Sequence, residues 1–544
     1  MDPLFQLTLA VGVSMLVIPL VRRFAPRLGL VDMPDPRKVH TVPIPRVGGW
    51  GITLGVLLPL ILMFKLDVLL QSFLFGCLAL FVFGIWDDAR TIGHWTKFAG
   101  QLAAVGSVVW YGDLWVSRLP FIDAAVPAEL GKPFTMFALI GVINAINHSD
   151  GLDGLAGGES ILSLIALAIM GYMSGSALML GIALATIGGI LGFLRYNSHP
   201  AYVFMGDSGS QVLGFTLGFL VVYLTQRANT AVSAALPLLI LGVPIADILS
   251  VLYRRIRGGM NWFKATRNHV HHRLLQVGFD HSETVVIIYS VQAAFVVSAV
   301  LARYESDATV TLLYAAGVAA LFCALSAAER RGWRISRARG VESRLTRAIG
   351  ALRASKAITN VPLLVITMLA PIVMLLSALW VARAPVEFAT TAAAFALVPA
   401  LQLVWPRAAA RPTLLRVTVY ATALFPAYVL IGYSDAIPKG VQAFTTAMVI
   451  VLALAIVVYV RFSPHDRFGT TPTDYLIVCG VVALVAYGSI EAKSRDMVEA
   501  VLLATVLIYA CEIVIVSATG GSGRRLLQFS TLGSLLIITL RGLF

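Results

Sequence analysis

The chain of 544 residues is 58% hydrophobic and only 13% charged, with 41 Lys and Arg against 28 Asp and Glu for a formal net charge of +13. Soluble domains carry about 25% charged residues, so this composition excludes a soluble globular protein and a disordered chain and places the sequence in a bilayer. The excess positive charge then belongs to membrane topology, lipid headgroups or an anionic substrate, and a nucleic acid is not an expected partner.

Apolar stretches of about 20 residues, the length that spans a bilayer core, begin near Leu4, Val47, Leu69, Lys97, Phe134, Leu155, Ser176, Ser210, Ala231, Thr284, Ala308, Pro362, Phe388, Leu415, Val441, Tyr475, Met497 and Ser530. The expected fold is therefore an all-α, polytopic integral membrane protein. The first stretch starts almost at Met1 without a basic leader, which predicts a retained helix rather than a cleaved signal peptide. Cys77, Cys323, Cys479 and Cys511 stand singly inside apolar runs, a spacing that suggests buried thiols and neither disulfides nor a metal site.

The basic residues fall on alternate loops. Arg22, Arg23, Arg27, Arg37, Lys38 and Arg46 follow the first stretch; Arg254, Arg255, Arg257, Lys264, Arg267 and Arg273 follow the ninth; a long basic run from Arg330 to Lys356 follows the eleventh. Arg461, Arg467, Arg524 and Arg525 follow later odd-numbered stretches, whereas the loops after even-numbered ones are mixed or poor in charge. The positive-inside rule makes the odd loops cytoplasmic and turns both termini outward.

Four polar clusters interrupt the first half, all after odd-numbered stretches and so on one face: "WDDARTIGHW" with Asp87 and Asp88, "NAINHSDGLDGLAGG" from Asn144 to Gly158, "YNSHPAYVFMGDSGS" with Asn197, Asp207 and Ser208, and "TRNHVHHRLL" with His269, His271 and His272. A single Asp at a helix end is most often a cap, and a His pair near Arg is often interfacial decoration. Four clusters on one side point instead to one site. Asp150 and Asp153 share a face if the helix reaches them, and Gly206 and Gly209 around Asp207 suggest a tight turn that presents one carboxylate and leaves the following amides free for an anion. Unpaired acids at this depth are costly and argue for a cation; a few oxygen ligands plus substrate phosphates is the usual way to hold Mg²⁺. Asp247, inside the ninth stretch, has Arg254 two turns on as a candidate partner.

These clusters, with "DPRKVHTVPIPRVGG" around Lys38, resemble the polyprenyl-phosphate N-acetylhexosamine-1-phosphate transferases, also called glycosyltransferase family 4. The resemblance covers about residues 1–328. It implies a Mg-dependent phosphotransferase, with Mn²⁺ as a substitute ion, that moves N-acetylhexosamine-1-phosphate from a UDP-sugar to undecaprenyl phosphate at the cytoplasmic face of the bacterial inner membrane and releases UMP. It implies Asp153 and Asp207 as metal ligands, Asp87 and Asp88 beside the acceptor phosphate, and His269, His271 and His272 with Lys38 and Arg273 on the diphosphate or nucleotide. Asn144, Asn147, Asp150 and Asn197 would shape the nucleotide and metal site, and a homodimer is compatible with the family. The sequence departs from the pattern at His148, Thr266 and "NWFKA" (261–265), close to the region that would choose the sugar.

Residues 329–361 read as a basic amphipathic linker on the cytoplasmic surface, and 362–544 as about seven further helices that carry no acidic pair or His cluster and have no evident function. Glu512 is expected to serve helix packing or an interfacial role. A transporter is the competing class, but its ionisable groups would sit near the midplane in repeated halves. Here they gather at one face of one half.

Overall fold

The computed structural model describes residues 3–34, 42–122, 124–259, 268–333, 356–381, 384, 386–404, 415–424, 438–462, 495–517 and 521–543. Lys38, Thr266, the 261–265 segment, most of the basic linker and the stretch expected near Tyr475 lie outside them. Among the described residues eleven helices are long and apolar enough to cross a membrane, and the strands are confined to one two-residue pair. The protein is an all-α, multi-pass membrane protein. Its chain contacts divide it into two units, one holding the described residues up to 333 and the other those from 356 onward.

In chain order, the first unit runs α1 (Pro3–Arg22), α2 (Ala25–Leu28), β1 (Val31–Asp32), β2 (Ile44–Pro45), α3 (Gly48–Met63), α4 (Val68–Ala89), α5 (His94–Gly106), α6 (Ala128–Ser149), α7 (Leu155–Met173) and α8 (Ala177–Asn197). It continues with α9 (Asp207–Tyr223), α10 (Leu236–Ile240), α11 (Gly242–Arg257), α12 (Val270–Val277), α13 (His281–Leu301) and α14 (Asp307–Arg330). Each of the eleven apolar stretches predicted here forms helix.

The α9 span is the axis of this unit: 94% of its apolar window is buried, and it packs on α3, α4, α6, α7 and α8. Aromatic side chains join it to α4, with Phe73 stacked on Phe215 at 5.7 Å and tilted against Phe219 at 4.8 Å. A second contact set, α1 with α3 and α8, relies on small residues, as membrane helices do where backbones must approach. A Cβ on Gly188 would lie 2.6 Å from that of Ala10, and one on Gly192 2.6 Å from that of Ser14. The close approach lets Ser14 Oγ donate to Gly189 O at 2.8 Å.

The ninth stretch is not one helix. It breaks at Leu241 between α10 and α11, because Pro244 has no N–H to give the carbonyl of Ile240 four residues earlier. Buried polar backbone needs another partner, and α13 and α7 supply it. Gln292 Nε2 and Ser163 Oγ both donate to Ile240 O at 2.8 Å, while Gln292 Oε1 accepts from Val243 N at 2.9 Å.

The second unit contains α15 (Lys356–Leu379), α16 (Val386–Val404), α17 (Leu415–Leu424), α18 (Lys439–Phe462), α19 (Arg495–Ser517) and α20 (Gly521–Leu543). Ile366, Met374, Leu452, Leu507, Cys511 and Val514 belong to its buried core. Glu512 is ion-paired: Arg416 Nη2 donates to Oε1 and Nε to Oε2, both at 2.9 Å, and the Tyr420 hydroxyl donates to Oε2.

Replacing Gln292 by Leu leaves the Val243 amide without its acceptor and takes one of two donors from Ile240. A loss of about 1–3 kcal/mol is expected, read as a lower midpoint in thermal unfolding of detergent-solubilised protein.

Candidate active site

The site starts from the junction of α4 and α9. Gly206 turns the chain with φ +74°, and a Cβ there would sit 2.5 Å from Asp88 Oδ2. The turn brings the first amides of α9 onto the last turn of α4. Asp88 accepts from Asp207 N at 2.9 Å, Ser208 N at 3.1 Å and Ser208 Oγ at 2.8 Å. The amides expected to be free for an anion are therefore occupied, because a carboxylate of the chain itself fills the N-terminal position that favours negative charge.

With its own amide satisfied, Asp207 points its carboxylate elsewhere. Oδ2 meets Lys97 Nζ at 2.8 Å and Oδ1 accepts from Asn147 Nδ2 at 3.2 Å. Lys97 also reaches Asp87 Oδ2 at 2.6 Å, and Asp87 Oδ1 accepts from Ile92 N at 2.9 Å. One ammonium thus joins Asp87 to Asp207, two acids 120 residues apart by number and brought together by α4, α5 and α9. Lys97 was absent from the residues singled out in the sequence; its signal was a cation opening an apolar helix on the face that carries the acids. Asn144 lies deeper, donating to Gln101 Oε1 at 3.1 Å and to Ile140 O at 2.8 Å.

The loop between α6 and α7 is held from three directions. Asn197 Oδ1 accepts from Gly154 N at 2.8 Å while its Nδ2 donates to Val203 O at 2.9 Å, so Asn197 ties this loop to the one before α9. Tyr289 OH donates to Gly154 O at 2.6 Å. Asp153 Oδ2 accepts from Ala201 N at 3.1 Å and lies 2.8 Å from His199 Nδ1; His281 Nε2 is 3.3 Å from the Asp153 carbonyl oxygen. Burial, reinforced by the charges of Asp207, Asp88 and Asp153, pushes the Asp150 carboxyl up to about 7.

Asp247 corrects an expectation. Its partner is not Arg254 but the chain ahead of α12: Oδ2 lies 2.7 Å from His269 Nδ1 and Oδ1 accepts from Val270 N at 2.8 Å. The break before α11 and the return of the His segment bring them together, a tertiary contact that sequence spacing cannot express. His271 packs on the α6–α7 loop, where a Cβ on Gly151 would stand 2.4 Å from its Nε2. Burial, followed by the neighbouring His272, holds the His271 imidazole down at about 3, so it is neutral at pH 7. Arg273 is turned to α14, where Nε and Nη2 grip the Glu329 carboxylate at 2.7 and 2.9 Å.

A cleft of about 600 Å³ opens among these elements. Asp88, Asn147, Asp150, Asp153, Asn197, Asp207 and His272 line it, together with Asp32, Arg46, His199 and His281, which the sequence reading had not named as site residues. Asp32 and Arg46 form an ion pair in the β1–β2 hairpin. Asp87, Asn144, His269, His271 and Arg273 are not among the lining residues; Asp87 reaches the cleft's edge through Lys97, and His269 and His271 support its wall.

Residues 70–225 match the sequence profile of glycosyl transferase family 4. The chain is 34% identical over 311 residues to the "Probable undecaprenyl-phosphate N-acetylglucosaminyl 1-phosphate transferase" of Bacillus subtilis (strain 168), an overlap that takes in 56% of this chain and 86% of the relative. It is 32% identical over 340 residues, 60% of this chain and 92% of the relative, to the "Undecaprenyl-phosphate alpha-N-acetylglucosaminyl 1-phosphate transferase" of Escherichia coli (strain K12). The "Decaprenyl-phosphate N-acetylglucosaminephosphotransferase" of Mycobacterium leprae (strain TN) is 35% identical over 324 residues, 53% of this chain and 81% of that one. The chain belongs to glycosyl transferase family 4.

Two outcomes follow from this geometry. Asp88→Ala leaves two amides of α9 and a buried hydroxyl without their acceptor, so the unfolding midpoint should fall clearly; an unchanged midpoint would show that the cap does not carry the junction. For Asp150, a folded-state value of about 7 lies above the unfolded value of about 3.9. Its contribution favours folding at low pH and is lost as pH rises from about 4 to about 7. The unfolding midpoint of cation-free wild type should therefore decline across that window more steeply than that of Asp150→Asn.

Proposed function

We propose that the protein transfers an N-acetylhexosamine-1-phosphate, GlcNAc-1-phosphate by default, from a UDP-sugar to undecaprenyl phosphate at the cytoplasmic face of the bacterial inner membrane. UMP leaves, and the lipid-linked sugar diphosphate opens the synthesis of a cell-surface polysaccharide. The observation that carries this reading is Lys97 joining Asp87 to Asp207 at the edge of an acid-lined cleft, at the membrane end where the four polar clusters meet. Family membership and the names of the relatives support the reaction class.

In the proposed reaction an oxygen of the acceptor phosphate attacks the sugar-bearing phosphorus of the donor, and the bond to the bridging oxygen breaks, leaving the electron pair on UMP. A phosphate monoester with a second pKa of about 6 is already mostly dianionic at pH 7. No general base is needed, and Asp87 and Asp88 serve placement: Asp88 fixes the start of α9, and Asp87 fixes Lys97. Phosphoryl transfer depends mostly on alignment and charge neutralisation, which suits an ammonium held between two acids. The resemblance implies Asp153 and Asp207 as the metal ligands; with Asp153 engaged by His199 and Ala201, the oxygen-rich lining from Asp207, Asp150 and Asn147 is the donor chemistry that Mg²⁺ prefers, with Mn²⁺ as substitute. When bound there, such an ion neutralises the donor diphosphate. Arg46 and His272 would face the nucleotide, with His269 and His271 supporting the wall behind them.

Purified protein given Mg²⁺, undecaprenyl phosphate and a panel of UDP-N-acetylhexosamines should release UMP only when acceptor is present. Asp207→Asn and Lys97→Met should each lower the rate by about 10²-fold or more, the scale seen when a transition-state electrostatic partner is removed. Absence of UMP with every donor, from folded wild type, would overturn the reading.

A further inference from the structure

Within the cleft, Asp153, His199 and His281 come from three separate elements and present one ligand atom each, all within 4.8 Å of one another. With metal–ligand bonds of about 2.0–2.2 Å, ligand atoms around a tetrahedral ion lie roughly 3.4 Å apart, so the three side chains must draw together by roughly 1.4 Å at most to hold one ion. The two imidazole rings stack with centroids 4.0 Å apart and planes 20° apart, so the rings must turn their nitrogens toward each other to share one ion.

Each ligand is placed by contacts of its own. The Asp153 carboxylate is oriented by the amide of Ala201 at 3.1 Å. His199 sits on the loop that Asn197 fixes through Val203 O at 2.9 Å and that Phe204 N anchors to Pro45 O at 2.8 Å. His281 is the first residue of α13, whose start is locked by a capping box between Asp280 and Glu283. With His199 39% exposed on its side chain, an ion has a path from solvent.

The donor set differs in kind from the one at Asp207, whose carboxylate meets an ammonium and a side-chain amide. Two imidazoles and one carboxylate suit borderline transition ions such as Zn²⁺ and are a poor match for Mg²⁺, which takes oxygen ligands. We propose that Asp153, His199 and His281 form a binding site for a divalent transition cation, separate from the oxygen-ligated position at Asp207. The site stands on these three side chains and does not require the transferase reading. It bears on that reading by giving Asp153 partners other than Asp207.

Zn²⁺ titrated calorimetrically into the full-length detergent-solubilised protein, in excess Mg²⁺, should bind, and Zn-edge X-ray absorption of the loaded wild type should show imidazole back-scattering. His199→Asn and His281→Gln should each weaken binding by at least about tenfold, while Asp207→Asn leaves it unchanged. Failure of wild type to bind Zn²⁺ over Mg²⁺, an all-oxygen shell in absorption, or undiminished affinity in both folded histidine variants would overturn the site. An all-oxygen shell in the wild-type spectrum overturns the site even if a variant misfolds. UMP release in Mg²⁺ alone, measured on the same preparation, reports the transferase reading independently: release without an imidazole-ligated ion removes only the cation site, and an imidazole-ligated ion without release removes only the transferase.

Discussion

The contact between the Asp88 carboxylate and the first turn of α9 is the constraint on which the polar end of the first unit depends. Three donors converge on this one side chain. Hydrogen bonds to a charged acceptor are worth about 1.5–3 kcal/mol each, and the alternative is a set of orphaned groups where water is scarce. The contact fixes both ends of the α4–α9 pair, since the Phe73–Phe215 stack already holds the same helices lower down. A helix clamped at its N-terminus and buried along its length cannot slide, so the direction in which Asp207 leaves it is settled.

From that fixed point the remaining charges fall into place. Asp87, one residue before Asp88, leaves α4 about 100° round the helix, and Lys97 from the next helix can therefore span from it to Asp207. Asn147 joins the same carboxylate from α6 and also donates to Ser210 Oγ at 2.8 Å, carrying the register of α9 over to α6. Asn197 and Tyr289 fasten the α6–α7 loop from α8 and α13. Loops of this kind usually move; here each is tied to a helix end, and the carboxylates are held before any substrate arrives.

Much of this was legible in the sequence, for a reason that also marks the limit. In a bilayer an apolar run of the right length must be helix, so the eleven stretches of the first unit could be read one by one, and alternation of charge placed the polar clusters on one side. What the sequence withheld were pairings between distant elements. Gly206 announced a turn at α9, but only the fold shows that Asp88 fills its open amides. Asp247 and Arg254 are neighbours on one helix, yet the acid turns to His269 twenty-two residues on. Lys97 looked like the edge of a span because nothing local marks a residue whose partners come from α4 and α9. The break at Leu241 is intermediate: Pro244 announced it, while Gln292 and Ser163, which make it tolerable, lie on other helices.

The charge balance of the cleft gives its chemistry a direction. Asp88 is consumed by a helix terminus and Asp32 by Arg46, whereas Asp150 and Asp153 line the cleft with no Lys or Arg bonded to them among the described contacts. A donor diphosphate and an acceptor phosphate, as the proposed reaction requires, would both approach this surface as anions. Bringing them together against carboxylates in a low dielectric is prohibitive without cations between them. Lys97 stands between Asp87 and Asp207, and Arg46 lines the cleft beside Asp32, each already facing a carboxylate; further positive charge must arrive with the substrate. Under the proposed function the acids therefore act as a filter that admits the donor only with its counter-ion, and the raised Asp150 carboxyl expresses the same demand for positive charge.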